Sequence, residues 1–137
     1  MEAKRGQSVV EFALILPVLI LLVAGIVDLT NGFQTYVALT NAAREGAIHG
    51  ASGATSSEIC TRVQQSLPST ISVACGSVTV SYPAVTGDAT CTGGSALKGC
   101  PIRVAISYSL PTFFGGVLGF NTMSLATSID MMVLGTP

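Results

Sequence analysis

At 137 residues the chain has room for about one domain plus an appendage. Hydrophobic residues make up 49% and charged residues 9%, against a usual charged share of about 25%. A soluble monomer with so few charges would struggle to cover its surface, so lipid or partner surfaces are expected to hide much of it. The six Lys/Arg and seven Asp/Glu leave a net charge of −1 and are scattered singly, which excludes the clustered basic footprint that nucleic acid requires.

The N-terminus carries Lys4 and Arg5, and sixteen residues from Phe12 to Val27 follow without a charge. From Val9 to Val27, with Glu11 the one interruption, there are nineteen residues, near the ~20 that cross a bilayer as a helix. Lys4 and Arg5 would hold that end in the cytoplasm, which makes the expected topology single-pass in the cytoplasmic membrane with an extracytoplasmic head. A cleaved secretory signal is the alternative. Its apolar core is normally shorter, and Val23-Ala24-Gly25 is a poor small-x-small site.

The helix is expected to continue past the membrane. Leu29, Phe33, Val37, Ala43 and Ala47 recur near helical spacing, with Asn31, Gln34, Asn41, Arg44 and Glu45 on other faces. The first convincing stop is Gly50-Ala51-Ser52-Gly53-Ala54. A helix from Ser8 to Gly50 would be roughly 65 Å long at 1.5 Å per residue. Pro17, inside its apolar half, is expected to kink it or loosen its hydrogen bonding.

The remainder reads as a compact head over residues 56–137. Ser56 or Ser57 can cap a short helix carrying Ile59 and Val63 and closed by Pro68. Ile71, Val73 and Cys75 alternate, as do Val78, Val80 and Tyr82, with the phase flipping at Gly76-Ser77 as at a bulge or tight turn. Ile102 to Leu110 and Met123 to Val133 alternate apolar and polar, the pattern of half-buried antiparallel strands. The fold class is therefore α+β: a long N-terminal helix, then a small head in which a short helix accompanies an antiparallel sheet.

Four cysteines lie in the head, where an extracytoplasmic position would let disulfides persist. Of three possible pairings the favoured one is Cys91–Cys100, closing the loop TGGSALKG, with Cys60–Cys75 tying the short helix to the neighbouring segment. Free thiols in a reducing compartment are the alternative. There is no Cys-x-x-Cys and only one histidine, His49, so no metal or other cofactor is expected. Asp28, Glu45, Glu58, Asp88 and Asp130 form no acid/base pair by spacing, and the Gly-rich stretches lack a phosphate-loop setting. No enzyme activity is expected.

The loop PTFFGGVLGFN, residues 111–121, joins two well-patterned strands yet holds Phe113, Phe114, Val117, Leu118 and Phe120. Loops are normally polar and exposed. Either this one folds back over the amphipathic half of the long helix and completes the core, or it is an exposed patch for a neighbouring subunit or the membrane surface.

Glu11 has two readings. Ser8-x-x-Glu11 fits a capping box in the first turn of a helix. Gly6 followed by Gln7-Ser8-Val9-Val10-Glu11-Phe12 resembles the processing site of type IV pilin precursors. The longer text RGQSVVEFALILPVLILLVAGIVDL, with TNAAREGA at residues 40–47, resembles the TadE-like family of the tight-adherence (Flp) pilus system. The resemblance covers residues 5–50 and, more loosely, the C-terminal strand-loop-strand.

What the resemblance implies is a pilin-like structural subunit, a minor pilin, a pseudopilin or the main filament component, stored in the membrane and assembled by helix bundling into a pilus on the cell surface. Residues 1–6 would be a leader removed by prepilin peptidase between Gly6 and Gln7, leaving the long helix over residues 7–52 with its transmembrane part at about 9–27. In the bundle Glu11 would face the new α-amino group of Gln7 on a neighbouring subunit and set axial register. The implied partners are other pilin subunits, the peptidase, an inner-membrane assembly platform and membrane lipid. The alternative is a single-pass anchor displaying an adhesive or binding head that never polymerises.

Overall fold

The computed structural model describes residues 3–91, 93–94, 96–115, 119 and 121–135. The elements run α1 (Ala3–Ala51), α2 (Ser56–Ser66), a 3-10 turn (Cys75–Ser77), β1 (Val78–Ser81), β2 (Pro101–Pro111) and β3 (Thr122–Met132). The strands form one antiparallel sheet in the order β1-β2-β3. This is the expected α+β arrangement, consistent with a pilin-like fold.

α1 starts at Ala3, earlier than the expected start near Gln7 or Ser8. Ala3, Lys4 and Arg5 are good helix formers, and Gly6 costs only about 1 kcal/mol relative to alanine, so the turn propagates through it. Ser8 therefore lies inside the helix and the capping box with Glu11 does not form. The Gln7 amide instead donates to Glu11 Oε1 at 3.3 Å, one turn on. The helix runs unbroken through Pro17, which deprives the Ala13 carbonyl of its usual N–H partner.

α1 ends at Ala51, within the expected stop Gly50-Ala51-Ser52-Gly53-Ala54. Gly50 sits buried in the last turn, and Gly53 closes the helix end. The Gly53 N–H bonds the Gly50 carbonyl at 3.0 Å, and the Ala54 N–H bonds that of His49 at 3.4 Å. Gly53 has φ +96°, so this is a Schellman closure with glycine in the left-handed position.

α2 is capped by Thr55 rather than by Ser56 or Ser57. Its hydroxyl accepts from the Glu58 N–H, and the Glu58 carboxylate accepts from the Thr55 N–H at 2.8 Å, a reciprocal capping box. The Thr55 N–H foremost, and then the Thr55 hydroxyl, which donates to the same carboxylate oxygen at 2.8 Å, hold the Glu58 carboxyl below the usual carboxylate range. Ile71 to Cys75 is not a strand. Gln64 Nε2 donates to the Val73 carbonyl at 2.8 Å, and the Ile71 N–H bonds Pro68 across a turn. These bonds take the Val73 carbonyl and the Ile71 N–H without a ladder.

Two compact units emerge: Gln34–Ser109 with Ser124–Pro137, and Met1–Phe33 with Leu110–Met123. In the first, Leu39, Ala42, Ala43, Ala47 and Ala51 of α1, Ile59 and Val63 of α2, Val73, Ile102, Val104 and Ile106 of β2, and Val133 form a buried core. β1 pairs with β2 in the register Val78↔Ile106 and Val80↔Val104, inward, and Thr79↔Ala105 and Ser81↔Arg103, outward. The inward alternation expected for β3 holds at Leu125, Thr127, Ile129 and Met131. On the outer face Arg103 donates to both oxygens of Asp130, at 2.6 and 2.7 Å, which holds the Asp130 carboxyl below its ordinary value.

The buried face of α1 in this unit is rotated from the expected stripe. Ala43 and Ala47 are buried, but Val37 is exposed and the packing residues are Thr35, Leu39, Ala42, Gly46, Gly50 and Ala51. A Cβ on Gly46 would come within 2.6 Å of Val63 Cγ2, and one on Gly50 within 2.5 Å of Ile102 Cδ1. Close approach of α2 and β2 thus requires glycine at both positions.

Candidate functional site

The second unit holds the surface that calls for explanation. From Val9 to Val27 one residue, Ala24, is buried; Leu14 is 72% exposed and its large neighbours stand open in the same way. Beyond Val27 the exposure continues at Leu29 and Phe33, each 68%. Glu11, Ile15, Leu22, Ile26, Leu29 and Phe33 recur at steps of three, four and seven, which sets them along one face of α1. A globular helix turns its large apolar residues inward; here they form an open ridge with a carboxylate at its N-terminal end.

A different face of the helix meets the β2–β3 loop. Asp28 stands one residue past the apolar run, and its two carboxylate oxygens each accept a backbone N–H. Oδ1 takes that of Phe113 and Oδ2 that of Phe114, both at 3.0 Å. The neck of the loop is closed by the Thr112 N–H on the Asn121 carbonyl at 3.2 Å. The two rings stand edge to face with centroids 5.0 Å apart. With Leu19, Ile20, Val23, Ala24 and Val27 they line an apolar groove of about 370 Å³.

Of the two sequence readings of this loop, folding over the amphipathic half of α1 is not what Phe113 and Phe114 do. Phe113 and Phe114 pack beside the apolar half of α1 and not over its amphipathic half, and Phe113 remains 80% exposed. Val117, Leu118 and Phe120 lie outside the described residues. Asp28 was read only as one of several dispersed acids. Two signals marked it: it ends an uncharged run with no Lys or Arg three or four residues away, and an apolar loop must find acceptors for its N–H groups.

At the N-terminus Gly6 and Gln7 are neighbours in one turn of α1 and Glu11 lies one turn on, with open space where a Cβ on Gly6 would sit. The cysteines stand in two pairs at disulfide distance, Cys60–Cys75 with Cα atoms 5.6 Å apart and Cys91–Cys100 with 5.4 Å. His49 is an exposed residue of the last turn of α1. Among the described residues no group of three His, Cys, Asp or Glu side chains could hold a metal.

Helix and head together define a class: one N-terminal helix, Gly6–Ala51, long and apolar enough to cross a membrane, carrying an α+β head. Residues 6–47 match the family described as TadE-like protein, a structural, pilus-associated family. No curated protein and no solved structure matches the chain. The match covers under a third of the sequence and ends within α1, before α2, the sheet and all four cysteines.

Proposed function

We propose that the chain is a structural subunit of a tight-adherence pilus, inserted in the cytoplasmic membrane by the first half of α1, cut between Gly6 and Gln7, and assembled by packing its helix against other copies. The observation that carries this reading is the open ridge Glu11, Ile15, Leu22, Ile26, Leu29, Phe33. A simple anchor needs apolar residues only to the membrane edge near Val27, whereas this ridge runs on to Phe33 and begins at a carboxylate. In lipid its large side chains as far as Ile26 are solvated by acyl chains. In a filament the same face is available to a neighbouring helix, whose Gln7 ammonium would neutralise Glu11 and fix the register, as a buried charge can do when paired.

Because Gly6 lies within a helical turn, the peptidase would act on a locally unwound segment, which glycine makes easier to open. Mass spectrometry of the N-terminus from sheared surface filaments tests the reading. The chain is expected there with Gln7 first. Recovery with Met1 or Glu2 attached, or absence from the filaments altogether, contradicts it.

A further inference from the structure

We propose that the start of the β2–β3 loop is a second membrane contact, with Phe113 and Phe114 seated among the acyl chains of the leaflet on the head's side. This rests on the reading that α1 spans the membrane. The rings lie beside Leu19, Ile20, Val23 and Val27. At 1.5 Å per residue, Leu19 is about 13 Å below Asp28 along the helix. A bilayer that surrounds those residues of α1 surrounds the rings as well, and Phe113 has most of its surface free to meet lipid.

The backbone chemistry fits the same place. Irregular backbone at membrane depth is tolerated only where its polar groups are satisfied from within the protein. The N–H groups of Phe113 and Phe114 are both taken by the Asp28 carboxylate. The Thr112 N–H is taken by the carbonyl across the neck. The small side chain of Ala24, buried to 3% exposure, leaves room for the ring pair against the helix. Asp28 thus acts as a clamp that lets Phe113 and Phe114 enter lipid without bare backbone N–H groups of their own. The charge itself stands just past the uncharged run, where the membrane edge falls.

The chain contains no tryptophan, so single-tryptophan variants of the full-length protein report directly. Phe113→Trp and, as a mid-span reference, Leu14→Trp are reconstituted into phosphatidylcholine vesicles with and without brominated acyl chains. Both are expected to lose most of their emission in brominated lipid, with Phe113→Trp blue-shifted relative to free tryptophan. Adding Asp28→Ala to Phe113→Trp is expected to reverse much of that quenching and shift the emission to the red. If Leu14→Trp is quenched and Phe113→Trp is not, the loop lies outside lipid and the proposal fails while the spanning helix stands. If Phe113→Trp is blue-shifted but unquenched, a second protein surface covers it and the proposal fails in favour of a subunit contact. If neither is quenched, the spanning reading itself falls. If Asp28→Ala changes nothing, the clamp is wrong.

Discussion

α1 is one continuous helix with two opposite surface logics. From Val9 to Phe33 its large residues, Leu, Ile, Val and Phe, stand open. From Thr35 to Ala51 the packing face is largely alanine and glycine, with Leu39 its one large apolar side chain. Secondary structure is the same in both halves, so side-chain size separates them. Small residues let α2 and β2 approach the helix axis within ordinary contact distance, as the crowding around Gly46 and Gly50 records. Large residues appear where little of the chain itself comes near. The lesson is that the apolar bulk of this helix is addressed to surfaces outside the chain, and its small residues to surfaces inside it.

The sharpest way to break the comparison is to remove the same group from each half. Leu39→Ala deletes a fully buried side chain and is expected to cost about 2–5 kcal/mol. Leu29→Ala, on the same helix but 68% exposed, is expected to stay within about 0.5 kcal/mol. Denaturant unfolding of the full chain in detergent micelles, followed by near-UV circular dichroism, checks both. Equal losses would erase the distinction.

A second test concerns the head alone. The two cysteine pairs are expected to be oxidised, so that alkylation under denaturing conditions labels no thiol until a reductant is added. Replacing Cys60 and Cys75 together by alanine is expected to cost about 2–4 kcal/mol. Insertion of α1, assayed by alkaline extraction of membranes, is expected to be unaffected.

Glycine provides a finer contrast. Gly25 has nothing within 4 Å of where a Cβ would sit, whereas Gly46 would meet Val63 at 2.6 Å. Alanine at Gly25 is expected to be neutral or to gain the helix-propensity difference of about 1 kcal/mol. Alanine at Gly46 forces a shift that costs about 1–3 kcal/mol, offset in part by that same gain. Melting curves of the two variants should move in different directions or by clearly different amounts.

The smallest effect is in pH. The carboxyls of Glu58 and Asp130 are both lowered, the first chiefly by the Thr55 backbone N–H and the second chiefly by Arg103. A carboxyl with a lowered folded-state pKa adds stability that is fully present above its unfolded value. That stability is lost as the pH falls through the unfolded value to the folded one. Head stability is therefore expected to be flat near neutrality and to decline only in the acid range below ordinary carboxylate values. Both groups are solvent-exposed, so the decline should be shallow and should weaken further in high salt. A melting-temperature series against pH, repeated with Glu58→Gln, measures it.

Much of the fold was legible because the strongest patterns are long. The uncharged run, the alternation of Ile102 to Leu110 and that of Met123 to Val133 each extend over many residues, and each became the element expected. The buried face of α1 was misread because a search for apolar periodicity weights Leu29, Phe33 and Val37 above alanine and glycine. Packing against α2 and β2 selects the small residues instead. Ile71 to Cys75 alternates, but a strand needs a partner, and that segment finds its hydrogen bonds in a glutamine side chain and a turn. The clamp at Asp28 joins residues 85 and 86 positions apart, a separation at which no local pattern carries information. Glu11, Gln7 and Gly6 were legible as a motif, whereas the helix start at Ala3 was not, because no local feature of residues 3–7 halts its propagation.

The claim that the open half of α1 is addressed to surfaces outside the chain is tested most directly at Phe33. A photo-crosslinking amino acid in place of Phe33, about 9 Å past the membrane edge at Val27, should form no crosslink within its own chain while the protein is held in the membrane. In sheared surface filaments it should join the chain to further copies, producing covalent multimers. A Phe33 derivative that crosslinks only within its own chain in both settings would show that the face is covered from inside, and would contradict the account.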